Sequence, residues 1–213
     1  MRSALLSTAY LPPISWMAVA IQAENINIEI QETYPKQTFR NRCNIATSGG
    51  ILPLSVPVMR VNGNHTKTAD ITIDNSKNWQ QLHWRSIVTA YNKSPYFLFY
   101  RDLFEPVYCR DFDLLVELNS EIINKLSIAL NIKNIDMNFT SGYQFIPYCT
   151  DLRLSFNPKK TPYQSITTDL PRYMQAFEVN HGYIPDLSII DLLFNMGPDA
   201  LQYLSDIKIL PLV

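Results

Sequence analysis

Two arginines, a lysine and two amides lie together in one short segment of the chain. Arg40 and Arg42 carry forked guanidinium groups that suit two-point binding of a phosphate or a carboxylate. Lys36 adds a compact positive charge, and Gln37 and Asn41 add amides that can hydrogen-bond hydroxyl groups. This mixture predicts a site for a small, polar, partly anionic ligand such as a sugar nucleotide. Internal pairing of the same cations with the protein's own carboxylates is the alternative.

The segment belongs to a longer stretch without acidic residues. Residues 33–69 contain no Asp or Glu, and their five cations are Lys36, Arg40, Arg42, Arg60 and Lys67. The whole chain is almost neutral, with 18 basic and 19 acidic side chains, and this balance gives no indication of nucleic-acid binding. A local excess of positive charge favours an anionic partner. A solvated basic face that is balanced by acids elsewhere is the alternative.

Two candidate proton acceptors lie on either side of this stretch. Glu32 comes just before the basic segment, and His83 lies one helical turn after Trp79 and two residues before Arg85. An imidazole beside an aromatic ring and near a cation tends to stay neutral and can act as a base. We therefore expect Glu32 or His83 to be catalytic, with Arg85 among the ligand-binding residues. A core histidine that bonds a backbone carbonyl is the alternative for His83.

The cysteines and glycines show which metal, thiol and nucleotide-binding sites the sequence allows. Cys43, Cys109 and Cys149 form no C-x-x-C pair, and no H-E-x-x-H is present, so no metal site is predicted. Cys43 lies in the basic stretch, where positive charge lowers a thiol pKa, so a nucleophilic thiol is a further hypothesis beside a structural one. The six glycines form no dinucleotide or P-loop motif, and the sequence identifies no cofactor.

The elements that must position these residues begin with a strand, a helix and a second strand. Residues 4–9 are predicted to form a buried strand, residues 14–21 repeat apolar side chains at helical spacing, and residues 25–31 alternate polar and apolar. This order predicts a parallel pair with a helical crossover. Glu32 would then follow the carboxyl end of the second strand, where ligands usually bind in open α/β sheets.

The rest of the chain first shows further strand signals and then helical spacing. Residues 51–58 contain Pro53 and Pro57 and predict an edge or interrupted strand, and residues 69–73 predict part of a hairpin. Helices are predicted from Ser76, from Ser94, from Asp111 or Asp113, and over residues 187–195. We expect one α/β domain over residues 1–213, with a mixed sheet and a helix-rich carboxyl-terminal half. No apolar run reaches membrane-spanning length, so a cytoplasmic protein is expected. The oligomeric state is not predicted.

Several segments in a fixed order carry a resemblance to a known family. They are Ala9-Tyr10-Leu11-Pro12-Pro13-Ile14, the run from Tyr34 to Ile45, residues 54–58, residues 79–97 and residues 187–198. On these segments the chain resembles the WbqC-like protein family, in the branch common in Bacteroidetes. The match to the family's tyrosine-x-proline segment adds Tyr10 to the expected substrate-binding residues.

The resemblance implies a role in cell-surface polysaccharide synthesis of the O-antigen type. The reaction suggested for the family is transfer of an aminoacyl or acyl group to an amino sugar, with a nucleotide sugar or an acyl donor as the small-molecule partner. Two segments depart from the family pattern: Leu6-Ser7-Thr8-Ala9 replaces His-Gln-Pro-Asn, and Glu29-Ile30-Gln31-Glu32 replaces Asp-Asp-x-Gln. A non-catalytic binding or scaffold protein of a glycan-synthesis pathway is therefore the alternative.

Overall fold

The fold begins with two parallel strands joined by one helix. The computed structural model describes residues 3–132, 135, 137–143, 149–158, 166–167 and 169–210. Strand β1 (Ser3–Ser7) leads to helix α1 (Ile14–Gln22) and strand β2 (Asn25–Glu29). The two strands pair in parallel, from Ser3 opposite Asn25 to Ser7 opposite Glu29. The predicted strand, helix and second strand are therefore confirmed.

Two short strands from much later in the chain complete a four-stranded parallel sheet. Strand β7 (Met137–Phe139) pairs with β2, and β8 (Thr150–Asp151) pairs with β1, so the order is β7-β2-β1-β8. Everything between β2 and β7 is one long insertion that begins at the carboxyl end of β2. The insertion and the ends of β7 and β8 therefore meet at the same edge of the sheet, where ligands bind in open α/β folds.

The first part of the insertion consists of two antiparallel strand pairs. Strand β3 (Arg42–Thr47) pairs with β4 (Gly50–Ser55), and β5 (Val58–Arg60) pairs with β6 (Ile71–Ile73). The apolar run of residues 51–58 is divided at Val56 and Pro57, as expected where a proline cannot donate a ladder hydrogen bond. The predicted α/β class with both parallel and antiparallel strands is confirmed, but among the described strands the two kinds of pairing lie in separate sheets and not in one mixed sheet.

Helices dominate the rest of the described chain, and most of them lie in its carboxyl-terminal half, as predicted. They are α2 (Trp79–Tyr91), α3 (Phe97–Phe104), α4 (Leu115–Ala129), α5 (Glu178–His181), α6 (Ile189–Met196) and α7 (Ala200–Asp206). Short 3-10 turns lie at Gly63–His65, Thr68–Asp70, Glu105–Tyr108 and Gly197–Asp199. Within the described ranges, no helix combines the length and the apolar character needed to cross a membrane.

Helix α1 is buried on all sides, and this burial explains its composition. Every residue from Ile14 to Ala20 is buried, and the helix packs against α6 and α7. Its first turn is held by Asp186, whose carboxylate accepts hydrogen bonds from the Ser15 backbone N–H at 2.8 Å and the Ser15 hydroxyl at 2.9 Å. A carboxylate at this position also complements the positive end of the helix dipole. α1 is thus fixed behind the sheet by the carboxyl-terminal part of the chain.

Candidate functional site

A buried glutamate lies at the carboxyl edge of the parallel sheet. Glu29 is the last residue of β2 and is fully buried. Its Oε1 accepts hydrogen bonds from the Gln31 backbone N–H at 2.6 Å and from the Thr140 hydroxyl at 2.8 Å. Its Oε2 lies 3.3 Å from Nη1 of Arg153. Glu29 therefore joins the ends of β2, β7 and β8 through one carboxylate.

Arg153 brings positive charge to the same edge. It follows β8 and also pairs with Asp151, whose Oδ2 lies 2.6 Å from Nη2. The hydrogen bond from Arg153 lowers the pKa of the Asp151 carboxyl group. The guanidinium also lies 4.7 Å from the ring centroid of Tyr143, within the range of a cation–π contact. Arg153 is thus held by two carboxylates and one aromatic ring.

The second glutamate of this edge, Glu32, is bound by a buried arginine. Arg40 is 2% exposed, and both its Nε, at 2.8 Å, and its Nη2 donate to Oε1 of Glu32. Oε2 of Glu32 has no hydrogen-bond partner among the described residues, and the Glu32 side chain is 11% exposed. Burial raises the pKa of Glu32, Arg40 opposes this shift, and the nearby Glu29 adds to it. We call Glu29, Glu32, Arg40, Thr140 and Arg153 the sheet-edge cluster.

Asn119 of α4 fixes Arg40 relative to the central strand. Its Nδ2 donates to the Thr8 hydroxyl oxygen and to the Arg40 backbone carbonyl, both at 2.9 Å. Thr8 comes just after β1, so this amide connects the insertion to the middle of the sheet. The contact explains how a residue from an irregular segment reaches the sheet edge in one defined position.

Tyr10 and His83 meet in a separate buried aromatic cluster. The Tyr10 hydroxyl lies 2.8 Å from Nδ1 of His83 and 3.0 Å from the Tyr108 hydroxyl. Trp79 packs edge-on against His83, with ring centroids 5.3 Å apart, as the one-turn spacing on α2 predicts. Burial lowers the pKa of His83 to about 4, against a hydrogen bond with the Ser55 backbone that raises it. His83 is therefore neutral at physiological pH and bonded on both sides.

The remaining basic and amide residues take several positions outside these clusters. Asn41 donates from Nδ2 to the Val56 carbonyl at 2.8 Å, and Arg42 donates from Nε to the Ser55 hydroxyl at 2.9 Å. Lys36 and Gln37 are exposed on the loop before β3. Arg85 is exposed and lines a cavity of about 350 Å³, whose other lining residues include Thr47, Ser48 and Phe177.

The structure thus brings some of the predicted site residues together and separates others. Glu32 meets Arg40 at the sheet edge, and Tyr10 meets His83 in the aromatic cluster. His83 and Arg42 are connected through Ser55, because His83 bonds its backbone and Arg42 bonds its hydroxyl group. Of the five cations in residues 33–69, Arg40 is the one with an ion pair within the described ranges. The alternative reading, internal neutralisation by the protein's own carboxylates, therefore holds for Arg40 and not for the basic stretch as a whole.

Three contributors were not recognised from the sequence: Thr140, Arg153 and Tyr108. Thr140 and Arg153 reach the edge because they follow strands of three and two residues, which are too short for a period-two pattern. Tyr108 belongs to an aromatic-rich segment, residues 96–108, and no local signal points to its contact with Tyr10.

The hypothesis of a nucleophilic thiol finds no support in the structure. Cys43 is 1% exposed, and burial raises its pKa, so the thiol stays protonated and is a poor nucleophile. In the part of the chain that the structure describes, no group of three or more His, Cys, Asp or Glu side chains could hold a metal ion.

Comparison with known proteins agrees with the resemblance seen in the sequence. The model of the WbqC-like protein family matches residues 8–155, a range that includes both Thr8 and Arg153. The chain is 25% identical to "Uncharacterized protein Rv1507c" of Mycobacterium tuberculosis (strain ATCC 25618 / H37Rv), over 94% of this chain and 96% of that protein. No solved structure matches the chain. Since the family model covers more than half of the residues, the chain belongs to the WbqC-like protein family.

Proposed function

We propose that the protein is a cytoplasmic transferase of cell-surface polysaccharide synthesis of the O-antigen type. It moves an aminoacyl or acyl group from an activated donor onto the amine of an activated amino sugar. The observation that supports this proposal most directly is the state of Glu32. One of its carboxylate oxygens is fixed by Arg40, while the other has no partner among the described residues and the side chain is partly open to solvent.

Glu32 has the properties of a general base in this proposal. Burial raises its pKa, and a base works best when its pKa approaches the working pH. The acceptor nitrogen forms a bond to the donor carbonyl carbon and gives its proton to Oε2 of Glu32. The bond between that carbon and the leaving group, a thiolate or a phosphate, breaks with its electron pair. Glu32 then returns the proton to the leaving group.

The other predicted residues take supporting parts in the proposal. Arg40 holds Glu32, Lys36 and Arg42 hold the phosphates of the substrate, and Gln37 and Asn41 bind its hydroxyl or carbonyl groups. His83 is a positioning residue, since its ring is neutral and bonds Tyr10 on one side and the Ser55 backbone on the other. Arg85 is a further cation, on the exposed side of α2.

A thermal-shift screen followed by a transfer assay tests the proposal. The protein is incubated with nucleotide amino sugars and acyl-coenzyme A compounds, and amide products are detected by mass spectrometry. Glu32→Gln keeps a carbonyl oxygen for Arg40 but removes the base, so we expect a loss of about 10²–10⁴-fold in rate. Glu24→Gln, at an exposed glutamate before β2, is the matched control and leaves the rate unchanged. No stabilisation and no product with any pair of compounds would overturn the proposal.

A non-catalytic binding protein is the second candidate, and one observation favours it. Leu98 and Phe99 are adjacent on α3 and are 73% and 77% exposed. Neighbouring apolar side chains of this exposure are typical of a contact surface for another macromolecule. In that case Leu98→Ser with Phe99→Ser abolishes glycan synthesis in cells, whereas Glu32→Gln leaves it intact. The opposite result favours the transferase.

A further inference from the structure

The hydroxyl group of Tyr34 is buried without a hydrogen-bond partner. Tyr34 is 4% exposed, and its phenolic oxygen has no partner among the described residues. Burial raises its pKa to about 12, while the positive charges of Arg40, Arg60 and Arg42 oppose this shift. The hydroxyl is therefore protonated at neutral pH and can donate a hydrogen bond to an acceptor. Because these arginines make the surroundings of the hydroxyl positive, the favoured acceptor is an anion.

Backbone hydrogen bonds hold Tyr34 and Arg60 on adjacent segments. The Tyr34 N–H donates to the Thr66 carbonyl at 2.9 Å, and the Thr68 N–H donates to the Glu32 carbonyl at 2.9 Å. Arg60 lies at the end of β5, on the segment that leads to Thr66, and its Cζ lies 5.3 Å from the centroid of the Tyr34 ring. The contact is a cation–π pair, so the charge of Arg60 stays close to the phenol.

The charges of Arg42 and Arg60 are not neutralised by the described protein. Arg42 donates to the Ser55 hydroxyl at 2.9 Å, and Arg60 donates from Nη1 to the Asn64 amide oxygen at 3.2 Å. Both partners are uncharged, and neither arginine has an ion pair within the described ranges. The hydrogen bond from Arg60 to Asn64 is exposed, and its acceptor is uncharged. Arg60 can therefore exchange it for a stronger hydrogen bond to an anion with little loss of free energy.

We propose that Tyr34, Arg42 and Arg60 form a binding site for a phosphate or diphosphate ester. The two guanidinium groups bind the phosphate oxygens, and the Tyr34 hydroxyl donates the third hydrogen bond. The site lies beside the pair of Arg40 with Glu32, whose two charges balance each other. This inference rests on the proposed function for the choice of ligand, because the phosphates of an activated sugar are the group that the site would hold.

Isothermal titration calorimetry with inorganic pyrophosphate, at low ionic strength, tests the site. We expect one saturable event, and Arg42→Gln and Arg60→Gln each weaken it about tenfold or more, as loss of a charge-assisted hydrogen bond implies. Tyr34→Phe also weakens binding but leaves the thermal midpoint at least as high, because its hydroxyl has no partner to lose. Lys93→Gln makes the same change of net charge at an exposed lysine after α2 and leaves the affinity unchanged.

Three outcomes would overturn the inference: no binding of pyrophosphate, an equal loss in Lys93→Gln, or full affinity in Arg42→Gln and Arg60→Gln. Failure of the proposed function is distinguishable from failure of this site. Glu32→Gln should not weaken pyrophosphate binding, because the change removes a negative charge and no donor to the ligand. Intact pyrophosphate binding without any transfer activity would disprove the transferase alone. Transfer activity without pyrophosphate binding at these residues would disprove the anion site alone.

Discussion

Arg40 donates two hydrogen bonds to one carboxylate oxygen of Glu32 and none to the other. Because Arg40 is almost fully buried, its charge depends on this partner, whereas Glu32 retains some contact with solvent. The pair is therefore asymmetric: loss of the glutamate leaves a buried cation, and loss of the arginine leaves a carboxyl group that can take up a proton.

We predict that Glu32→Ala lowers the free energy of unfolding by about 3 kcal/mol, because it leaves Arg40 without a counter-charge. Arg40→Met costs less, since methionine fills a similar volume and Glu32 can be protonated. The loss in the free energy of unfolding of the double variant should be smaller than the sum of the losses of the two single variants. Urea denaturation of the four proteins measures the coupling. Additive losses would show that the pair contributes no coupling energy.

His83 makes stability depend on pH in a defined direction. Its pKa is about 4 in the folded protein and about 6.5 in an unfolded chain. The unfolded state therefore takes up a proton first as the pH falls, so stability is lost between about pH 6.5 and pH 4. Relative to His83→Gln, we expect the native protein to lose roughly 3 kcal/mol across this window. Parallel unfolding curves for the two proteins at both pH values would contradict the prediction.

Asp191 acts in the opposite direction over nearly the same range. It is fully buried and accepts hydrogen bonds from the Tyr91 hydroxyl at 2.8 Å and the Tyr173 hydroxyl at 2.7 Å. Burial raises its pKa to about 6, despite these hydrogen bonds. The folded state therefore binds the proton first as the pH falls, and stability is gained between about pH 6 and pH 4.

We predict that Asp191→Asn removes this gain, which amounts to about 3 kcal/mol for a shift of this size. Urea denaturation at pH 7 and pH 4 checks it, with Asp199→Asn, at an exposed aspartate, as the control. If Asp191→Asn and the native protein change equally between the two pH values, Asp191 is not the group responsible.

The three cysteines should differ strongly in reactivity. Cys109 is exposed, Cys149 is half-buried and Cys43 is buried. Burial also raises the pKa of Cys43, so little reactive thiolate forms there. We expect a maleimide to label Cys109 first and Cys43 only after unfolding, with Cys109→Ser as the control. Mass spectrometry of the intact protein and its peptides gives the order. Fast labelling of Cys43 in the native protein would revive the hypothesis of a nucleophilic thiol.

Local patterns predicted the opening of the fold because each of its elements has a regular alternation or helical spacing of apolar residues. The alternation in residues 25–31 and the helical spacing after Pro13 each gave the correct element. The start of α2 was misplaced: the helix begins at Trp79, because Ser76 hydrogen-bonds the Asp74 carboxylate at 2.5 Å and does not cap the helix. Strands β7 and β8 were missed, since three and two residues carry no pattern of their own.

The candidate site was predictable only where its members are close in sequence. Glu32 and Arg40 are separated by eight residues, and both were expected to take part in binding or chemistry. Arg153 joins them from the far side of the insertion, and Tyr10 meets His83 across 73 residues. Contacts of that kind depend on strand pairing and core packing, which a single sequence does not specify.

Strand β1 has neighbours that are synthesised at very different times. Ala4 pairs with Ile26 on one side and with Thr150 on the other. At about 5–20 residues per second, the ribosome needs on the order of ten seconds to make the chain between those two partners. Throughout that interval the nascent chain exposes one unpaired edge of a buried, apolar strand, which is a template for aggregation. Protection of this edge during translation is therefore a requirement that the topology itself places on the cell.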